Sequence, residues 1–474
     1  MLMLADAIEA VTNIRPPLAE MVITEAAIDS RQVIPGSLFV ALPGERVDGH
    51  EFVSAAFQRG ASFALIHHPF PGMENYRMLD LRSPSAAMTI PEPADTPLCL
   101  WVDDSLAALQ QIARFWRSKL ALRVIGITGS VGKSTTKEII AEVLDQRYHT
   151  LKSPGNMNNE IGLPLTILRL GSGYERAVLE MGFYLPGEIA FLCEIAHPVI
   201  GVVTNIGTVH AERAGSQEAI FEGKSELVKA LPADGVAVLN KDDPLVQKMA
   251  GLTAARVFFY GLDPTSDLWA DQVISLGLEG IRFRLHYQHE TLHVHVPMIG
   301  QHSVHTVLRA AAVGLVEGLT WQQILDGLRM GHSQLRLTAV RTQSGAMLLD
   351  DTYNASPESM LAALNLLDQL GGHKVAVLGD MLELGPYETQ GHEMVGVRAA
   401  EVADVLVTVG KRGHMIASAA RRAGLDPEKV TEFENTTEAI THLRKTLSKD
   451  DVVLVKGSHG VRMDLVAAAL EVSE

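Results

Sequence analysis

Val124-Ile-Gly-Ile-Thr-Gly-Ser-Val-Gly-Lys-Ser-Thr-Thr136 decides the fold. An apolar strand runs into a glycine turn, and the turn opens a helix. That is the build of a phosphate-binding loop. Glycines let backbone N–H groups close around phosphate oxygens, and the helix N-terminus adds a favourable dipole. Lys133 is expected to reach the β/γ-phosphates and Ser134 to offer its hydroxyl to Mg²⁺. Ile127 stands where the common pattern has its first glycine, so Thr128-Gly-Ser-Val-Gly-Lys-Ser-Thr135 is a compact variant. The bland alternative is a glycine-rich strand–helix turn with no ligand. A Gly-Lys-Ser after an apolar strand has few such uses.

The chain has 474 residues. At roughly 150 residues per domain, that suggests about three domains, each able to bury a core. Hydrophobic residues make up 47% and charged residues 20%, the balance of a globular protein. A formal net charge of −16 argues against a nucleic-acid partner, which needs a basic face. It leaves room for a nucleotide held in one pocket. Cys99 and Cys193 are too few for a disulfide framework or a thiolate zinc site, and read as small core residues in a reduced compartment. The start, Met1-Leu-Met-Leu-Ala-Asp6, reads as a short amphipathic helix rather than a signal peptide. No apolar run is long enough to span a bilayer. The expectation is a cytoplasmic protein with no membrane insertion.

Three textures follow one another. Residues 1–118 alternate short strands (Ser37–Leu42, Ala61–His67, Leu98–Val102) with helical stretches at Glu51–Arg59 and Ser105–Lys119. Residues 119–333 hold the phosphate loop and apolar strands at Val124–Ile127, Ala177–Glu180, Val199–Thr204 and Val236–Leu239, separated by helical patterns. That is the signature of a parallel, doubly wound sheet. From Leu268 to Val296 the pattern changes to period-2 alternation, as in Ile281-Arg-Phe-Arg-Leu-His-Tyr287, and predicts a small antiparallel β-insert. Helical segments from His302 to Met330 close this part. Residues 334–474 repeat strand and helix, with strands at Met347–Asp351, Val375–Gly379, Val405–Val409 and Val452–Val455, and predict a second open α/β sheet.

Ligands of open α/β sheets bind beyond the carboxyl ends of the strands. Glu180 ends one such strand, Asn205 ends another, and His210 follows in the next loop. Mg²⁺ takes a few oxygen ligands besides substrate phosphate, and Glu180 suits that role. A helix cap or an ion-pair carboxylate is its alternative. His210 alone reads as structural, and beside Glu180 as a second metal ligand. Asn156, Asn158 and Asn159 lie in Pro154-Gly-Asn-Met-Asn-Asn-Glu-Ile-Gly162, a loop expected between two helices. Turn chemistry is one account of them, although three in four positions is denser than a turn requires.

With these residues in hand the chain resembles the Mur ligases of bacterial cell-wall synthesis along essentially its whole length. The resemblance rests on Asp29-Ser-Arg31, on Gly36 to His50, on Thr128–Thr135, on Gly155 to Pro164, on Glu180-Met-Gly182, and on Asn205 to Lys224. In the last part it rests on Asp350-Asp-Thr-Tyr-Asn-Ala-Ser-Pro357, Leu378-Gly-Asp-Met-Leu-Glu-Leu-Gly385 and Val455-Lys-Gly-Ser458. The implied architecture is α/β in three domains: an N-terminal UDP-substrate domain, a central P-loop ATPase domain with a small β-insert, and a C-terminal Rossmann-like domain for the incoming amine. The implied reaction is ATP-dependent joining of D-alanyl-D-alanine to UDP-N-acetylmuramoyl-tripeptide through an acyl phosphate, by a monomer using Mg²⁺.

The resemblance also implies site residues. Catalysis falls to Lys133, His210, Lys224 and Arg336. ATP falls to Gly129, Ser130, Val131, Gly132, Lys133, Ser134, Thr135, Arg336, Asp350 and Asn354. The metal falls to Ser134, Glu180, His210 and Lys224, with a carbamate on Lys224 where the sequence alone reads an ordinary surface lysine. The UDP-substrate side takes Ser30, Arg31, Gly44, Asn158 and Asn159, and the D-Ala-D-Ala side takes Asp380, Glu383 and Lys456. An Asp350-Asp351 pair at a strand end also reads as a plain turn. The chain departs from the family at Leu335, where glycine is usual before the arginine. It departs again at His302-Ser-Val-His-Thr306, where asparagines that help hold the base are replaced, and around His210, at Gly207-Thr-Val209 and Ala211-Glu-Arg213. Two other functions compete: an amide ligase of the same superfamily with a different acceptor, and a P-loop kinase or regulatory NTPase.

Overall fold

Three sheets carry the architecture in the computed structural model, which describes residues 1–17, 20–44, 47–83, 97–207, 212, 215–330 and 338–471. The first has five strands, in the order Ala26–Ala27, Leu38–Val40, Phe63–Ile66, Leu98–Trp101, Arg77–Asp80. All its pairings are parallel. Its middle strands are buried along their length and read as continuous apolar runs, as parallel strands covered on both faces do. Cys99 lies in this core, its thiol pushed up to about 12 by burial, and both cysteines are free.

The second sheet has nine strands, in the order Glu290–Val296, Ile281–Tyr287, Leu268–Ser275, Arg256–Gly261, Val236–Asn240, Ile200–Val203, Arg123–Thr128, Arg176–Glu180, Thr150–Lys152. The expected antiparallel insert exists, and it is an extension of this sheet rather than a separate body. Arg256–Gly261 pairs in parallel with Val236–Asn240 and, at its end, with Leu268–Trp269. The two strands beyond are antiparallel. The asparagine loop does not join helix to helix, because the three-residue strand Thr150–Lys152 precedes it.

The third sheet has six strands, in the order Thr338–Arg341, Met347–Asp351, Asp451–Lys456, His373–Gly379, Val405–Val409, Val430–Phe433. Only the edge strand Thr338–Arg341 is antiparallel. Two apolar clusters cover the two faces, as a doubly wound sheet requires.

Contacts gather the chain into two compact units, one of Met1–Gly126, Tyr148–Gly182 and Glu188–Ile200, the other of Ile127–Arg147, Phe183–Gly187 and Gly201–Glu474. Within the first, the helix Ser105–Ser118 begins at Asp104, whose carboxylate accepts from the backbone N–H groups of Leu106 and Ala107. Near its other end the buried Arg117 donates to the carbonyls of Ala196, Leu120 and Leu122 at 2.8, 2.9 and 3.0 Å. Trp116 donates its indole N–H to Leu170 O at 2.8 Å. Among the described residues no helix is long and apolar enough to cross a membrane.

Candidate active site

The phosphate loop is held from beneath by the strand beside it. Thr204 N donates to Thr128 O at 3.0 Å, and Ser130 N donates to Asn205 O at 3.0 Å. Asn205 Oδ1 accepts from Val131 N at 2.9 Å, Thr204 Oγ1 donates to Val131 O at 2.7 Å, and Gly207 N donates to Ser130 Oγ at 2.8 Å. The loop's shape is therefore fixed before any ligand arrives. Gly129 has φ +139°, and a Cβ there would lie 1.9 Å from Thr204 Oγ1. Gly132, at φ +82°, is the residue before the helix Lys133–Asp145. Both positions need glycine, and both leave backbone free to approach an anion.

Two lysines meet behind this turn. Lys133 Nζ donates to Gly129 O at 2.9 Å, and Lys224 Nζ donates to the same oxygen at 3.2 Å. Lys224 is not the surface lysine that sequence alone suggests, being 0% exposed. Its helix, Gln217–Lys229, starts at Ser216, whose hydroxyl accepts from Ala219 N. The amine lies 4.8 Å from the centre of the Phe183 ring. Gly223 allows that approach, since a Cβ there would meet Phe183 Cε2 at 1.9 Å. Burial, and then the charge of Lys133, hold the Lys224 amine well below the usual lysine range. Ser134 follows Lys133 in the first turn of its helix.

In the other unit, Glu180 ends its strand 2% exposed. Its carboxylate accepts from Asn158 Nδ2 at 2.9 Å, and its N–H donates to Ser153 Oγ at 3.2 Å. Gly182 N donates to Asn158 O at 2.7 Å, so the asparagine loop clasps the Glu180-Met-Gly segment. Asn159 does turn chemistry: its Oδ1 accepts from Gly162 N at 2.9 Å, opening the helix Gly162–Leu168. Arg31 pairs with Asp29 at 2.7 Å while its side chain stays 81% exposed. Ser30 is buried beside it, and Gly44 N donates to Val47 O at 3.1 Å in a tight turn.

In the third sheet the strand ends come together. Lys456 Nζ, buried, donates to Asp351 Oδ2 at 2.7 Å and to Asn354 O at 2.9 Å. Asp350 Oδ1 accepts from Thr352 N at 3.0 Å and Thr352 Oγ1 at 2.7 Å, a local turn. Asp380 Oδ1 accepts from Arg412 N at 2.9 Å and Gly413 N at 2.8 Å, where the helix Gly413–Arg422 begins. Burial pushes that carboxyl up, and the two N–H groups oppose the shift. Glu383 takes a left-handed backbone at φ 63°, and its carbonyl accepts from Glu212 N at 3.3 Å. His210, Leu335 and Arg336 lie outside the described residues.

Sequence reasoning missed Arg309, which reaches the same phosphate turn from a distant helix. A lone arginine in Val307-Leu-Arg-Ala-Ala-Ala-Val313 was its available signal.

A fixed glycine loop between an apolar strand and a helix, with a lysine opening that helix, defines a P-loop nucleotide-binding protein of the α/β class. Comparison with known proteins sharpens this. The Mur ligase family, catalytic domain, matches residues 22–117; the Mur ligase middle domain matches 127–314; and the Mur ligase, glutamate ligase domain, matches 335–459. The chain is 35% identical to a UDP-N-acetylmuramoyl-tripeptide--D-alanyl-D-alanine ligase of Bacillus subtilis, over 97% of this chain and 95% of that one. A crystal structure of MurF from Acinetobacter baumannii superposes with a TM-score of 0.82 at 30% identity, covering 98% of this chain and 97% of that one. The MurF ligase from Thermotoga maritima in complex with ADP gives 0.77 at 28% identity, covering 95% and 97%. The chain belongs to the Mur ligase family.

Proposed function

We propose that the protein is an ATP-dependent ligase that adds D-alanyl-D-alanine to UDP-N-acetylmuramoyl-tripeptide in peptidoglycan precursor synthesis. The observation that carries this reading is the rigid phosphate loop with Lys133 and Lys224 on one carbonyl, in a chain 35% identical to such a ligase over 97% of its length. A carboxylate is a poor electrophile, so ATP activates it: a tripeptide carboxylate oxygen attacks the γ-phosphorus and ADP leaves. The dipeptide amine then attacks the acyl carbon, loses a proton, and phosphate leaves as the amide forms. The protein's part is positioning and charge stabilisation. The loop N–H groups hold the phosphates, and Lys133 turns from Gly129 O toward the phosphoryl group in transfer.

Ser134, Glu180, His210 and Lys224 are the residues for Mg²⁺, which when bound supplies charge neutralisation on the phosphates. A hydroxyl and a buried carboxylate are oxygen donors suited to that hard cation. Lys224 fits as a carbamate, since burial favours the neutral amine and that is the form that reacts with CO₂. Arg336, Asp350 and Asn354 are assigned to the nucleotide, Ser30, Arg31, Gly44, Asn158 and Asn159 to the UDP-substrate, and Asp380, Glu383 and Lys456 to the dipeptide side. The domains that go with these roles are 1–118, 119–333 and 334–474, in a cytoplasmic monomer. Incubation with ATP, Mg²⁺, UDP-N-acetylmuramoyl-tripeptide and D-Ala-D-Ala, followed by mass measurement of the product, tests the reading. Phosphate release should need both the tripeptide and the dipeptide. Equal ATP turnover without the dipeptide would sink the ligase in favour of a kinase or NTPase.

A further inference from the structure

We infer that Arg309 is a positioning residue for the phosphate turn, a buried cation whose counter-charge is the polyphosphate of the bound nucleotide. The inference rests on the nucleotide-binding reading above and adds to it a residue on a helix remote in sequence. Arg309 sits in the helix Ser303–Val316, where its neighbours Val307, Leu308, Ala310, Ala311, Ala312 and Val313 are all buried. It is itself 5% exposed. Its Nη1 donates to Thr136 Oγ1 at 2.6 Å, and its Nε donates to His305 O at 2.9 Å. A Cβ built on Gly132 would lie 3.4 Å from Nη1 and 4.0 Å from Nη2. The guanidinium therefore packs against Gly132 and Thr136, which bracket the first turn of the phosphate-loop helix.

The electrostatics of this placement are unusual. Taking a guanidinium out of water is costly unless something compensates its charge. Arg117, the other deeply buried arginine described above, has three backbone carbonyls around it. Arg309 has the Thr136 hydroxyl, one backbone carbonyl and Tyr260, whose side chain hydrogen-bonds it and whose ring centre lies 5.8 Å away. Among the described residues no carboxylate forms an ion pair with it. Tyr260, fully buried with its hydroxyl pushed up by desolvation, is neutral and brings no negative charge. The missing anion is thus expected where the turn itself binds one, at the helix N-terminus. In a site screened from water, a fixed cation a few ångströms behind the loop strengthens phosphate binding without touching the phosphate.

The test uses the full chain and Mg·ADP, with calorimetry for affinity and thermal unfolding with and without the nucleotide. Arg309→Met should weaken ADP binding about tenfold, the scale of a fixed charge acting through space on the phosphates. It should leave the melting temperature of the nucleotide-free protein unchanged or raised, because an uncompensated buried cation has been removed. The KM for the UDP-linked substrate should stay put. Thr136→Val, which removes the hydroxyl and keeps the charge, should bind ADP within about twofold of wild type. Wild-type affinity in Arg309→Met overturns the inference. So does a lowered nucleotide-free melting temperature with the ADP-induced shift intact, which is the mark of a packing role. If Arg309→Met does not fold, Arg309→Lys decides: near-wild-type ADP affinity supports the charge, and a tenfold loss at unchanged melting temperature overturns it. Failure of the wild type to bind Mg·ADP would instead strike the nucleotide reading itself.

Discussion

Gly129 shows how tightly single atoms are specified at this site. Its φ of +139° excludes side chains, and Thr204 Oγ1 occupies the place of a Cβ. Gly129→Ala therefore combines backbone strain with overpacking, together roughly 2–6 kcal/mol. The expected outcome is loss of ADP binding by calorimetry and a lower melting temperature. Trimming the clash with Thr204→Ala should restore only part, because the backbone angle remains; full recovery in the double variant would show that φ does not matter there. Lys224 makes a different prediction. If its amine carries CO₂, Lys224→Ala should be nearly inactive while still folded, and added short carboxylates should partly restore turnover by filling the vacated anionic place. A high-resolution map of fully active protein, prepared with ample CO₂, that shows Lys224 unmodified would remove the carbamate from the mechanism.

At the scale of elements, a carboxylate that starts a helix can also gate stability with pH. Asp48 precedes the short 3₁₀ turn Gly49–Phe52, and its Oδ1 accepts from His50 N at 2.9 Å and His50 Nδ1 at 2.7 Å. Its Oδ2 meets His68 Nε2 at 2.8 Å. Burial pushes this carboxyl up, but the bonds from His50 and His68 outweigh it and hold the group at about 2. A folded value below the unfolded one, about 4, means that the stabilisation is present above that pH. It is lost as pH falls toward 2. Wild type should thus lose stability faster than Asp48→Asn across that window, as read by urea unfolding at each pH. Parallel curves would remove Asp48 from acid denaturation. Element legibility follows the same local logic. Leu38–Val40 and Phe63–Ile66 stand out as apolar runs, whereas Ala26–Ala27 and Thr150–Lys152 are too short to leave a period. Arg77–Asp80 is polar at both ends, with Arg77 exposed and Asp80 half-buried, and lies at a sheet edge. The phosphate loop was legible because its chemistry is contiguous. What braces it was not: Val131 and Asn205 lie 74 residues apart, and Thr136 and Arg309 lie 173 apart. No periodicity reports contacts across such spans. The burial of Lys224, likewise, depends on Phe183 arriving from another segment.

At the scale of the whole molecule, the chemistry demands protection from water. An acyl phosphate in an open cleft would be hydrolysed, and ATP would be spent without forming an amide. The three reactants are assigned to different segments of the chain, the UDP-linked substrate to the first, ATP to the central one and the dipeptide to the last. Bringing three ligands to one reacting carbon, then excluding solvent, calls for segments that move as bodies and close on their substrates. Small-angle scattering should therefore record a smaller radius of gyration with a non-hydrolysable ATP analogue and the UDP-tripeptide together than with either alone. A closure that needs both ligands makes the pair act more than additively. A profile that stays the same at saturation of both, in a preparation whose phosphate release depends on the dipeptide, would rule out closure as the means of protection. It would locate the exclusion of water in the fixed walls of the site instead.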